Sequence, residues 1–295
     1  MNRPIGIDAR ALALFPRAAF QFDQPGANFR AGSFEEKAVM AKLEIHQFPT
    51  RSDNYGVLIH DPVTEATASI DAPDADEVLA ALHEKGWVLT HILVTHHHGD
   101  HTAGNKALKH KTGCTIIGPA LEARSIPGID VKVAEGDTID IGGTRATVIE
   151  TPGHTNGHVS YYFPEDGIVF VGDTLFSVGC GKLLEGDAPT MWSSLEKLMI
   201  LPRDTRVYCG HEYTKANCHF ALTIEPENDA LQARAAEVAK LVERGAPSLP
   251  TTIGQERDTN PFLRPGSPDI QKRLDMEGSA PAEIFGEIRR RKDRF

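Results

Sequence analysis

Cysteine is scarce in this 295-residue chain, and its four copies, Cys114, Cys180, Cys209 and Cys218, show neither a CxxC pair nor a zinc-finger spacing. Neither a disulfide framework nor a cysteine-rich zinc site is indicated, and a reducing compartment, the cytoplasm, is expected. Long apolar runs are also missing. No stretch approaches the roughly twenty residues that a helix needs to span a bilayer, and the nearest thing to a signal-peptide core, ALALF, stops at Pro16-Arg17. No membrane partner is expected. Positive charge is in deficit, with 31 Lys and Arg against 41 Asp and Glu, for a net charge of −10. That balance disfavours nucleic acid as a partner, because phosphate backbones call for a broad basic surface. An anionic ligand has to be met by a few local cations.

What is present is enough apolar sequence, 40% of residues, for a large core. Residues 1–40 read as a disordered extension, since FQFDQPGANFRAGSFEE has no sustained period and several breakers. Arg3, Arg10 and Arg17 among few acids leave mitochondrial targeting open, and Met40, just before the first strand-like segment, equally suits a native start. From Lys42 the chain turns to short β-rich runs: GVLIH, TASID, HILVT, CTIIG, ATVIET, VSYYF and GIVFVGD. Two helices interrupt them. DADEVLAALHEKG carries Val78, Leu79 and Leu82 on one face and ends at Gly86, and NKALKHKTG again leads into a strand. These strand–helix–strand units within many strands predict a mixed sandwich with helices outside. After Glu212 the pattern becomes helical, in ENDALQARAAEVAKLVERG, closed by Gly245, and in PAEIFGEIRRRKDRF. A boundary is expected near Cys209 to Tyr213.

The run THHHGDH, Thr95 to His101, follows the apolar HILV directly. A strand that ends in a loop presents side chains from a rigid support. His96 and His98 are separated by one residue, Asp100 and His101 are adjacent, and Gly99 lets the backbone turn between the pairs. A lone histidine pair is usually a solvated turn, whereas four groups able to bind metal or protons within seven residues suggest a metal site. Downstream, TPGHT carries His154, FVGDT carries Asp173 and YCGHEYT carries His211. Each follows a β-run in a glycine-containing turn, and together they form a ligand inventory with one recurrent structural address.

THHHGDH, TPGHT, VGDT and GHEYT, in this order, resemble the HxHxDH pattern of the metallo-β-lactamase superfamily from about Lys42 to Tyr213. The resemblance implies an α/β fold, an αββα sandwich, with two divalent metal ions. It implies His96, His98 and His154 on one ion, Asp100, His101 and His211 on the other, and Asp173 bridging, while His97 is not a ligand. Asp100 and Asp173 would hold the bridging hydroxide. Nitrogen and carboxylate donors suit Zn, with Fe or Mn as alternatives. Metal-bound water is acidic enough to act near neutrality, so no Ser or Cys nucleophile is needed, and Cys180 and Cys209 read as structural.

VGDTLFSVGCGKLLEG, GHEYT, TNPFLR and the terminal RRRKDRF resemble the glyoxalase II (hydroxyacylglutathione hydrolase) family, which extends the likeness over nearly all of the chain after Met40. That resemblance implies a catalytic domain over 41–212 and a helical glutathione-binding domain over 213–295, with a glutathione thioester as substrate; a monomer is expected. By motif, Lys182 and Tyr213 would contact the peptide portion of glutathione, and Arg289 and Lys292 its glycine carboxylate. Arg289 and Lys292 lie three apart on one helix and can converge on one carboxylate, although a basic helix end is also favoured by the dipole without any ligand. Leu184 stands where the family commonly has tyrosine, and one lost neutral hydrogen bond costs on the order of 1 kcal/mol. The implied reaction is hydrolysis of S-D-lactoylglutathione to D-lactate and glutathione. The rival readings are a persulfide dioxygenase, which uses one iron and lacks the helical domain, a lactonase-like hydrolase, a nuclease and a metal-bound scaffold.

Overall fold

The computed structural model describes residues 42–295, which belong to one compact unit. The expected disorder of residues 1–40 lies outside the described residues. Strands β1 (Glu44–Thr50), β2 (Asn54–His60), β3 (Thr67–Ile70), β4 (His91–Leu93), β5 (Thr115–Pro119) and β6 (Val131–Val133) lie side by side in that order as a first sheet. The chain continues through β7 (Thr138–Ile141), β8 (Thr144–Glu150), β9 (Val159–Phe163) and β10 (Ile168–Phe170). A small hairpin, β11 (Leu175–Phe176) and β12 (Gly179–Cys180), precedes β13 (Arg206–Tyr208) and β14 (Thr251–Thr252). The second sheet has the order β14-β13-β10-β9-β8-β7. Both sheets are mixed, with parallel pairs at β3–β4–β5–β6 and at β10–β13.

The helices are α1 (Ala75–Lys85), α2 (Gly99–Thr102), α3 (Asn105–Thr112), α4 (Ala188–Met199), α5 (Thr214–Ile224), α6 (Asp229–Glu243), α7 (Ile253–Thr259), α8 (Pro268–Leu274) and α9 (Pro281–Arg294). In α1 the Asp74 side chain accepts from the backbone N–H of Asp76 and Glu77, and Gly86 closes the helix at φ 70°. A side-chain cap of this kind is worth about 1 kcal/mol.

The strands read as nearly unbroken apolar runs because both of their faces are covered. Val57, Ile59 and Leu93 point inward against Phe163, Ile168 and Phe170 of the other sheet. Their neighbours Leu58 and Ile92 face outward onto Val78 and Leu82 of α1 and Leu108 of α3. On the far side, Val169 and Val207 meet Leu195 of α4, Phe220 of α5 and Phe285 of α9. Each such fully buried side chain contributes about 1.5–3 kcal/mol relative to exposure, which fixes the order helix, sheet, sheet, helix.

Helical character begins earlier than the composition suggests, at α4. Asp187 caps it by accepting from Thr190 N–H, Pro189 occupies its first turn, and Met191, Leu195 and Leu198 form its buried stripe. The region after residue 212 is also not purely helical, since β14 pairs antiparallel with β13 at the edge of the second sheet. A two-residue strand has no period from which to be read.

Candidate metal centre

Strands β8 and β10 are each antiparallel to β9, and β13 is parallel to β10, so β8, β10 and β13 run in one direction. Their C-terminal ends deliver His154, Asp173 and His211 to the same edge of the sandwich. The segment after β4 brings His96 and His98, and the single turn α2 brings Asp100 and His101. One point collects all seven side chains. Gly210 makes room, because a Cβ there would lie 2.5 Å from Asp173 Oδ1 and 2.7 Å from His101 Cε1.

Among the groups of donors spaced closely enough to share an ion are His96, His98 and His154 on one side and Asp100, His101 and His211 on the other, with a buried group of His96, His101 and Asp173 running between them. In the first, His98 Nδ1 lies 3.0 Å from His96 Nε2 and 3.1 Å from His154 Nε2. In the second, His101 Nε2 and His211 Nε2 are 3.3 Å apart, with Asp100 Oδ2 within 3.5 Å of both. Asp173 reaches both sets, its Oδ2 lying 3.5 Å from His154 and 3.3 Å from His211 and its Oδ1 3.4 Å from His101. His97 turns away, toward Glu122 and Glu185; it also comes near His98, but there Glu185 is a third exposed.

The outer nitrogens are committed. His101 Nδ1 donates to Asp71 at 2.8 Å, His154 Nδ1 to the Lys182 carbonyl at 2.9 Å and His211 Nδ1 to Asp53 at 3.3 Å. Those bonds fix tautomers whose Nε2 lone pairs face inward. Lone pairs about 3 Å apart repel unless a cation lies between them, and Asp173 Oδ1 is buried with no hydrogen-bond partner. The electrostatics point the same way. Burial opposes charge on His211, yet Asp100 and Asp173 carry it up to about 9. His101 is likewise opposed by burial and raised by Asp173 and Asp71, while burial and neighbouring imidazoles hold His96 far down. A negative pocket lined with imidazole lone pairs fits two cations.

Several supporting residues carry no signature in the sequence, Asp53 beside His211 among them. Asp71, at the end of TASID, accepts from Thr95 N–H at 2.7 Å and from His101. Asn54 donates to Asp100 Oδ2 at 3.2 Å. His158 Nε2 accepts the Asp173 N–H at 3.1 Å, and its ring stacks on that of His96 with centroids 5.0 Å apart. The only hint of it in the sequence is a second histidine four residues after His154.

A cleft of about 390 Å³ opens from His154 and Asp173, and Lys182, Leu184, Tyr213, Arg289 and Lys292 all line it. Tyr213 stacks on His211 at 4.8 Å and 5°. Arg289 is 4% exposed. It donates to the Cys180 carbonyl at 2.9 Å and pairs with Asp293 at 2.9 Å, so part of its guanidinium is committed within the protein. Lys292 is half-buried beside it, 3.2 Å from the Ala216 carbonyl. The two cations share a face without sharing a partner.

Residues 51–211 match the metallo-beta-lactamase superfamily, and residues 212–295 match the hydroxyacylglutathione hydrolase C-terminus. Hydroxyacylglutathione hydrolase of Rhizobium meliloti (strain 1021) is 57% identical over 256 residues, which cover 87% of this chain and 100% of the relative. The chain belongs to the hydroxyacylglutathione hydrolase family. Two solved structures carry the catalytic fold of this family member. ETHE1 from Myxococcus xanthus superposes with a TM-score of 0.58 at 27% identity, covering 84% of this chain and 98% of its own. TTHA1623 in a di-iron-bound form gives 0.55 at 25% identity, covering 74% and 100%. The two family matches abut at residues 211 and 212, at His211 itself.

Proposed function

We propose that this chain hydrolyses S-D-lactoylglutathione and related 2-hydroxyacyl glutathione thioesters to the 2-hydroxy acid and glutathione. The observation that carries the reading is a single cleft that opens from His154 and Asp173 of the doubled donor set and has Lys182, Tyr213, Arg289 and Lys292 on its walls. His96, His98 and His154 would hold one divalent ion, Asp100, His101 and His211 a second, and Asp173 both. Zinc is the first choice, with iron or manganese as alternatives; the di-iron form of TTHA1623 favours keeping iron in view. When bound, such ions acidify water and polarise a carbonyl oxygen.

The chain's own residues do the rest. Asp71, Asp53 and the Lys182 carbonyl hold the imidazole tautomers, so no ring has to turn during turnover. Asp100 is kept ionised by His211, against its burial. Asp173 is opposed by burial and kept ionised by His101 and His211. Both therefore serve as acceptors for the attacking water. Lys182 and Tyr213 would meet the peptide portion of glutathione, and Lys292, with Arg289 beside it, the glycine carboxylate. The departing thiolate has an ordinary pKa near 8.5, so it needs little help from an acid. The buried cysteines are unsuited to nucleophilic attack, since burial pushes the Cys180 thiol up to about 11 and Cys209 higher still.

The catalytic part is assigned to residues 41–212 and the glutathione-binding part to 213–295, in line with the change of matching family at 211/212. A reducing compartment, the cytoplasm, fits four free, buried cysteines, and the working unit is taken as a monomer. Among the described residues no helix is long and apolar enough to cross a membrane. The test is thiol release from S-D-lactoylglutathione with no oxygen consumed. Oxygen uptake with glutathione persulfide and negligible thioester hydrolysis would move the chain to the dioxygenase class.

A further inference from the structure

Glu122 sits in a 3-10 turn, Ala120–Glu122, just after β5, far in sequence from both segments it touches. Its side chain is 7% exposed. Oε2 accepts the backbone N–H of His97 at 2.7 Å, and Oε1 accepts the backbone N–H of Gly157 at 2.8 Å. The His97 N–H lies on the main chain between His96 and His98. Gly157 is three residues beyond His154. One carboxylate therefore ties together the two segments that carry the three-histidine set. Gly157 is what permits the approach, because a Cβ there would lie 2.7 Å from Glu122 Cγ. The His97 ring adds a third contact, with Nδ1 3.0 Å from Glu122 Oε2 but out of line for a hydrogen bond.

The other donor set is held by different groups, Asn54 on Asp100, Asp71 on His101 and Asp53 on His211. We propose that Glu122 is a positioning residue for one half of the centre: by clamping the main chain at His97 to that at Gly157, it sets the spacing of His96, His98 and His154. This rests on the two-metal reading. Neutral glutamine at position 122 has one acceptor oxygen for two N–H donors, so one strap of the clamp is lost and an amide N–H is turned toward a backbone N–H.

Removing a partner that orients metal ligands typically weakens metal affinity 10–100-fold. The experiment is a competition titration of metal-free protein with Zn²⁺ against a chromophoric chelator, run on wild type, Glu122→Gln and Gly157→Ala. Gly157→Ala keeps the charge and presses on Glu122 from the other side. The expected result is two tight equivalents in wild type. In each variant one equivalent should stay tight and one weaken by about 10–100-fold, with Co²⁺ spectra showing loss at the three-histidine site. Equal weakening of both equivalents, or of neither, in Glu122→Gln overturns the proposal. If that variant does not fold, Gly157→Ala decides on the same criterion. Fewer than two equivalents in wild type would instead sink the two-metal reading itself.

Discussion

Lys292 offers the cleanest test of how the cleft binds its substrate, because its charge can be removed without opening the core. Its Nζ lies 3.2 Å from the Ala216 carbonyl and 5.2 and 5.3 Å from the ring centroids of Phe220 and Phe295. Burial first, and then the neighbouring Arg289, draw its pKa below the usual lysine value. Lys292→Gln keeps most of the stem and a donor for the carbonyl while deleting the charge. A charge-assisted hydrogen bond to a carboxylate is worth about 1.5–3 kcal/mol, and partial exposure argues for the lower end through screening. About 1.4 kcal/mol is tenfold, so KM for S-D-lactoylglutathione should rise about tenfold. The glycine carboxylate keeps its charge throughout the reaction, so kcat should stay within about twofold. Steady-state kinetics on the metal-loaded variant, repeated with a substrate whose glycine carboxylate is amidated, would read both numbers. For the amide, wild type and variant should agree. An unchanged KM for the acid, or an equal rise for acid and amide, would refute the assignment.

Arg289→Ala should behave differently, since it strips a buried donor from the Cys180 carbonyl. The uncompensated carbonyl costs about 1–3 kcal/mol, and thermal melting should fall by roughly 5 °C before any effect on substrate is considered. Chelation should lower the melting temperature as well, because ions that bind only the folded state at about a hundredfold over Kd contribute about 2.7 kcal/mol each; a melting curve unmoved by chelator would contradict a preformed centre. With the Cys180 thiol pushed up to about 11 and all four cysteines buried, alkylation at neutral pH should be slow in the native protein. It should reach all four thiols on unfolding, and rapid labelling of the native form would show that the cleft floor opens.

The parts of this fold legible in the sequence are those with a local signature. α1 announces itself through an apolar stripe and a closing glycine, Gly86, and α3 through its closing glycine, Gly113, both in left-handed conformations, while α6 does so through a long periodic run. The donor residues were legible for a related reason, since each terminates a β-run in a glycine turn. The residues that support them were not. Asp71 acts across 30 positions to His101 and Glu122 across 35 to Gly157. No spacing rule connects such pairs, and an aspartate ending TASID looks like any turn residue. Arg289 shows the same limit from the other side. Its basic run identifies a cation near an anion, but its burial against Cys180 and Asp293 appears only once α9 is packed.

The central claim is that this chain hydrolyses a glutathione thioester at a two-metal centre. Stepwise addition of Zn²⁺ to metal-free protein, with S-D-lactoylglutathione hydrolysis recorded at each step, tests it most directly. The account predicts that the rate climbs until two equivalents per chain have been added and then levels off. Full activity at one equivalent, or none at two with the protein folded, would contradict it.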